Sequence, residues 1–259
     1  AANVAVAKLR AEQDVYTENV TIDSDGAVAV TAKLNEGKTL SDSQSDSNWS
    51  CGAAALLGGN GGKLELYSLR TNVAVARADA VSRARTAGTG FTGSADVTLT
   101  NNATSYAYAT VVEPSASAGY VAVGLTCVYA YADGTFDTTM DNGGKPVTVK
   151  SITIGNGYDS HATAFSGVAT GGIGLHAVDA SLAVVLARVG SHVTGGITGS
   201  GNVNASGKVA VAVTGTGRAY ATVKSPTATL SGVSVAVNYV SAELSGTQDA
   251  FIRDASVTS

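Results

Sequence analysis

The sequence is short of the residues that fill a wide globular core or furnish an active site. With 4 Phe, 1 Trp and 1 Met in 259 residues, bulky packing side chains are scarce. Two cysteines are too few for a disulfide framework, and Cys51 and Cys127 have no metal-ligand spacing. A Cys51–Cys127 bridge is one expectation for an oxidising compartment, and two free thiols are the other. No apolar run approaches the roughly 20 residues that a membrane-spanning helix needs. The opening AANVAVAKLRAEQD lacks a basic segment followed by an apolar one, so a secretion signal is expected to have been removed or to lie elsewhere in a longer precursor. A net charge of −4 argues against nucleic acid or an anionic membrane as the main partner. The basic run Arg70, Arg77, Arg83, Arg85 is interrupted by Asp79 and reads as a solvated face.

What the chain does contain is Ala, Val and Gly. Hydrophobic residues make up 44% of it, dominated by Ala and Val, and there are 31 Gly. Small core residues imply a narrow core. Val and Thr favour strands, while Gly, Asn and Asp mark turns, so many strands are expected and no helical bundle.

Self-similarity then organises the chain. Segments with a Val-Ala-Val-like start occur at Val4, Val73, Val121, Leu182 and Val235. A second alternating strand follows around Val28, Val97, Val147 and Val209, each after a Gly-containing turn. From each start to its second strand is 24 to 27 residues, which suggests one coil of a β-solenoid. A third strand recurs as SYAYATVV from Ser105, HATAFSGVA from His161 and RAYATVK from Arg218. Its period of two puts Ala107, Ala109 and Val111 on an inner face and Tyr106, Tyr108 and Thr110 on the outer one. The expected fold is all-β, a right-handed parallel β-helix of Ala/Val/Gly-rich repeats spanning residues 1–259 as one unit. Coils of about 24 residues would give about ten coils and a rod on the order of 50 Å long. Residues 36–71 stand apart, as a polar Ser/Asp-rich loop bearing Trp49 followed by a degenerate coil.

The VAVAK and VAVN starts, the TIDSDGAVAVTA strand and the Ala-rich SYAYATV strand resemble the repeats of large filamentous bacterial surface adhesins of the filamentous haemagglutinin-like and leukotoxin-like β-helix group. The resemblance implies secretion to the bacterial cell surface and a role in adhesion or fibre formation. It carries no catalytic residue. The absence of an amphipathic capping segment adds the expectation of a longer fibre, with further repeats or further copies as partner, end to end.

Candidate chemistry is sparse. His161 with Asp159 could be a base and its orienting carboxylate, but no nucleophile signature accompanies them. A β-helix polysaccharide lyase or hydrolase is the alternative function, and it would need two acids across a cleft. Asp133, Asp137 and Asp141, spaced four apart, are the candidate calcium ligands, with ordinary turn-capping as the competing reading. GNGYDSH, from Gly155 to His161, resembles one unit of a calcium-binding β-roll. Tyr106, Tyr108, Tyr129, Tyr131, Tyr220 and Tyr239 alternate with small residues and are the candidate adhesive surface. The alternative role for these rings is shielding of the sheet. No cofactor other than calcium is implied.

Overall fold

The structure, a computed structural model, describes residues 2–35, 52–58, 64–113, 117–168, 174–224 and 229–259. Every regular element among them is a strand. The first circuit of the chain comprises β1 (Ala2–Glu18), β2 (Thr21–Asp23), β3 (Ala27–Leu34) and β4 (Gly52–Gly58). The second is β5 (Leu64–Ala87), β6 (Gly90–Thr92) and β7 (Asp96–Glu113), and the third β8 (Ser117–Asp141), β9 (Val147–Val149) and β10 (Ser151–Val168). The fourth is β11 (Gly174–Thr198), β12 (Asn202–Ala205) and β13 (Val209–Lys224), and the fifth contributes β14 (Thr229–Arg253) and β15 (Ser256–Thr258).

Each circuit visits three sheets in the same order. Sheet A, of long strands, runs β1-β5-β8-β11-β14; short-stranded sheet B runs β2-β6-β9-β12-β15; sheet C runs β3-β7-β10-β13, with β4 beside the later half of β7. All pairings are parallel.

The inner faces of sheets A and C share one core. Ala74, Ala76, Val128, Ala130 and Ala187 of sheet A pack with Ala107, Ala109, Ala162 and Ala164 of sheet C, all at most 2% exposed. Methyl-sized teeth let the two sheets approach closely, as the composition required. Towards sheet B the interior widens and larger residues appear: Phe91, Leu99, Met140, Ile152, Ile154 and Ile197. Sheet B enters as a third wall, and its Val147 and Val203 are fully buried there.

A left-handed residue stands at the turn from sheet A to sheet B in each circuit: Asn19 (φ 55°), Gly88 (φ 56°), Gly143 (φ 54°), Gly199 (φ 115°) and Asp254 (φ 56°). Gly and Asn tolerate this conformation best; of the turn signals in the sequence DNGGK contains such a corner, while DSDG, TGS and SGK lie between sheets B and C.

Two expectations are corrected. In the second and fourth circuits the second and third strands of the repeat are one strand, since β7 contains both DVTLT and SYAYATVV, and β13 both VAVAVTG and RAYATVK, without a break. The 24- to 27-residue offset is therefore the passage from sheet A to the far side of the same circuit, and the circuit itself is longer. Ser117 lies beside Gly174, and Gly174 beside Thr229. Five circuits, not ten, are stacked over about 19 Å from first strand to last at ~4.8 Å per step. Nor is the segment after the polar run a coil of its own: β4 occupies the place in the first circuit that the end of β7 fills in the second, and Leu64–Thr71 open β5. Trp49 and the polar run from 36 to 51 lie outside the described residues.

Candidate functional site

The six tyrosines lie on the faces of their strands opposite the alanine teeth, but the rings do not form one stripe. Tyr106, Tyr108 and Tyr220 project from the outer face of sheet C, whereas Tyr129, Tyr131 and Tyr239 project from sheet A on the opposite side. Exposure divides them again. Tyr220 and Tyr239 are 60% and 57% exposed, but Tyr106 and Tyr108 only 1% and 6%. β7 is flanked in sheet C on both sides, and there the Tyr106 ring meets His161 edge-on at 4.8 Å while its hydroxyl donates to Asp159 at 3.0 Å. Tyr129 and Tyr131 stack on each other in parallel planes, centroids 6.3 Å apart, and are half-buried. Burial, with a hydrogen bond from the Tyr129 hydroxyl to the Cys127 sulfur, raises the Tyr129 pKa above its usual value.

Tyr108 and Tyr220 nonetheless share a groove of about 650 Å³ on the outer face of sheet C. Thr163 lies between them in register, and Phe165, Arg218 and Lys224 complete the walls. The Lys224 ammonium stands 5.7 Å from the Phe165 ring centroid. The groove is aromatic and basic.

His161 also lines the groove, and its Nε2 lies 2.9 Å from Asp159 Oδ1 without hydrogen-bond alignment. Asp159 also accepts hydrogen bonds from Tyr106 and from Thr216, the latter at 2.5 Å. This is a packed polar cluster in which the carboxylate is engaged on several sides.

The outer face of sheet A carries ion pairs between circuits. Arg83 reaches Glu12 at 3.1 Å and Arg85 reaches Asp14 at 2.7 Å, so much of the basic run is a partly solvated ladder. Further along, Arg77 pairs with Asp79 at 2.8 Å and lies 3.7 Å from Asp133. Asp133 stands beside Asp79 in register at the edge of a notch of about 450 Å³ that also involves Arg188, Gly190 and His192. Burial raises the Asp133 pKa above the ordinary carboxylate value, against the opposing pull of Arg188 and Arg77.

The calcium triplet is not brought together. Asp133, Asp137 and Asp141 lie along one extended strand, β8, so successive carboxylates are about 13 Å apart at ~3.3 Å per residue. A cation that draws its oxygens to about 2.5 Å cannot bridge that spacing. Asp137 instead accepts from Thr194 at 2.7 Å and Thr139 at 3.1 Å, and Asp141 caps the Gly143 amide at 2.8 Å. Gly155–His161 is ordinary strand within β10. Among the described residues no group of three or more His, Cys, Asp or Glu is placed to hold a metal. Cys127 is a half-buried free thiol on β8, and Cys51 lies outside the described residues.

Sequence reasoning missed the features that need knowledge of which residues become neighbours. Asp79 beside Asp133, and Arg218 in the groove with Lys224, become visible only once the registers are known. The residues left exposed on the last described strand of sheet A were equally hidden. On the inner face of β14, Val240, Leu244 and Ile252 are 45%, 63% and 51% exposed, whereas their partners on β11, Val185, Val189 and Ile197, are at most 3% exposed. Compared with protein-family models, curated proteins and solved structures, the chain has no match.

Proposed function

We propose that this chain is a right-handed β-solenoid that serves as a non-enzymatic structural or adhesive segment of a bacterial extracellular filament or surface adhesin, extended end to end by further repeats or copies. The observation that carries the reading is the vertical one. Like residues stand in columns, for example Ala7, Ala76, Ala130, Ala187 and Ala242, and the columns reach the open edges at β1 and β14 without a cover among the described residues. An edge strand of 25 residues that exposes Val233, Val235, Val237 and Tyr239 is a template for another strand.

Continuing the columns from β14 to the β1 edge of another copy supports the same reading. Ala2, Thr71, Leu125, Leu182 and Val237 share a column, so a β1 added in that register sets Ala2 over Val237. It then sets Lys8 over Glu243 and Tyr16 over Phe251, favourable cross-strand partners. Gln13, whose Oε1 is buried without a hydrogen-bond partner, comes over Gln248, as in an amide ladder. Asp14 over Asp249 opposes the rest, but each has an arginine of its own, Arg85 at 2.7 Å and Arg253 at 3.8 Å.

Electron microscopy of the purified chain, together with surface labelling of cells that produce it, tests the proposal. Ribbons built from parallel slabs and label at the cell surface are expected. Compact isolated particles, or cleavage of a polysaccharide that Asp133→Asn abolishes, would overturn it in favour of an enzyme.

A further inference from the structure

The outer face of sheet A changes character along its strands. Its later half is solvated and carries ion pairs from circuit to circuit, Arg83 with Glu12 and Arg85 with Asp14. Its earlier half is apolar. There Val121, Val123 and Leu125 of β8 stand in register beside Val178, Ala180 and Leu182 of β11. All six point outward, because the residues of opposite parity, such as Val128, Ala130, Val185 and Ala187, fill the core. Val123 and Leu182 are each 41% exposed and Val178 39%, although a paired strand flanks them on both sides. Their exposure therefore belongs to the face and not to an edge of the sheet. The same columns stay apolar on the neighbouring strands, in Leu69 and Val73 of β5 and in Val235 and Val237 of β14.

We propose that this face is a lateral interface at which a second copy of the chain packs sheet A against sheet A, related by a two-fold axis that runs along the strands. The area fits a pair. From Val121 to Tyr129 on β8, and from β5 across to β14, the patch measures roughly 30 Å by 20 Å with side-chain widths, on the order of 600 Å². That is the upper end of what a monomer leaves in contact with water. Two such faces bury about 1,200 Å² together, the lower bound for a specific stable pair. The axis lays each apolar column on the same column of the copy, with the sheets about 10 Å apart and the strands within about 30° of parallel. Short branched side chains such as Val and Leu interdigitate well at that separation. The rim favours a copy over another occupant. Where the patch gives way to charge, Arg77 and Arg188 stand close to Asp79 and Asp133. A rim of both signs finds its opposite on a copy of itself, whereas an anionic lipid surface calls for cations alone. The interface lies on the flank of the stack, so it neither needs nor hinders strand addition at β1 and β14.

The experiment is sedimentation velocity on the whole chain at up to about 100 μM, with micrographs of the same samples. Particles doubled across the sheets are expected, with a dissociation constant that the double variant Val123→Lys, Leu182→Lys raises at least tenfold, because four buried ammonium groups would then face one another in each pair. Both residues point outward and are partly exposed, so this variant is expected to keep the fold, which circular dichroism checks. Should unfolding follow, Val123→Thr with Leu182→Thr keeps the strand preference and is the second variant, expected to weaken pairing in the same direction. Particles that stay one slab thick at the highest concentration, or doubling that neither variant weakens, would overturn the proposal. So would a parent chain that stays single and floats with phosphatidylcholine vesicles, which would assign the face to lipid. Pairing is read as growth across the sheets and end-to-end assembly as growth along the stack, so the two readings fail separately.

Discussion

Asn101 and Asn156 share a column of sheet C and reach across the interior to sheet A. Asn101 exchanges bonds with Ser82, Oγ to Oδ1 at 2.6 Å and Nδ2 to the Ser82 carbonyl at 2.8 Å. Asn156 donates to the carbonyls of Phe136 and Thr194 at 2.9 and 2.7 Å. These amides tie the sheets together where the alanine core gives way to the wider end, and a buried amide is tolerated only while it is bonded. Asn101→Leu is therefore expected to cost about 1–3 kcal/mol in denaturant unfolding, because Ser82 is left without its partner. The double variant with Ser82→Ala should recover part of that loss. Asp133 supplies a pH signature. Its folded pKa is raised, so in the folded state it holds its proton to higher pH than in the unfolded chain. Its contribution to stability falls as pH rises through and above the ordinary carboxylate range. Asp133→Asn should remove that fall, melting above the parent at neutral pH and converging with it in acid. Asp96 has the opposite sign: bonds from Lys150 and Ser151 lower its pKa, so its contribution is lost on acidification. The Asp133 effect is thus read from the difference between variant and parent melts.

The strands owe their common start to the left-handed corner. A Cβ on Gly143 would lie 2.5 Å from the Gly88 Cα of the circuit below, and its φ of +54° already disfavours a branched side chain. Gly143→Val is expected to cost about 2 kcal/mol or more, seen as a lowered melting midpoint, with the third and second circuits pushed apart at this corner. One such corner, Gly143, was legible in the DNGGK turn, and so was the side-chain parity of the SYAYATVV strand. Register was not. Val73 was matched with Val121, but it pairs with Cys127; Val121 was matched with Leu182, but it pairs with Val178; Leu182 pairs with Val237 and not with Val235. Each error is an even number of residues. A slip by two keeps every side chain on its own face, so a low-complexity Val-Ala pattern fixes in and out while leaving the sliding position open. Val4 with Val73, Val28 with Val97, and His161 with Arg218 were matched in true register. Val147 fell in the wrong sheet for a related reason: three alternating residues in PVTV look like the start of a long strand, yet they form β9 of sheet B and the long strand begins at Ser151. The candidate sites suffered most, because the outer-face neighbours of Asp133 or Tyr220 come from strands more than 50 residues away.

Taken as a whole, the molecule is wider than it is tall. Strands of 25 residues extend about 80 Å, while five of them stack over only about 19 Å. Adding circuits thickens the slab along the stacking axis and leaves its width alone, and stability should grow roughly as a sum over circuits and their interfaces. The length of one circuit can then be tested by deletion. Removing residues 117–173, from Ser117 to the residue before its register partner Gly174, brings β5 against β11 and preserves every inward face. Leu99 would meet Val211 and Val75 would meet Leu186, apolar or outward partners of the kind they have now. This shortened chain is expected to fold, with the strand signature in circular dichroism intact, the slab width unchanged in small-angle scattering and the unfolding midpoint lowered. Removing 24 residues, such as 117–140, is the matched control, because 24 is the repeat that the spacing of alternating segments first suggests. That deletion takes nearly all of β8 from sheet A, leaves β10 without the strand opposite it and should abolish cooperative unfolding. If the 24-residue deletion folded and the whole-circuit deletion did not, the circuit described here would be the wrong unit of the fold.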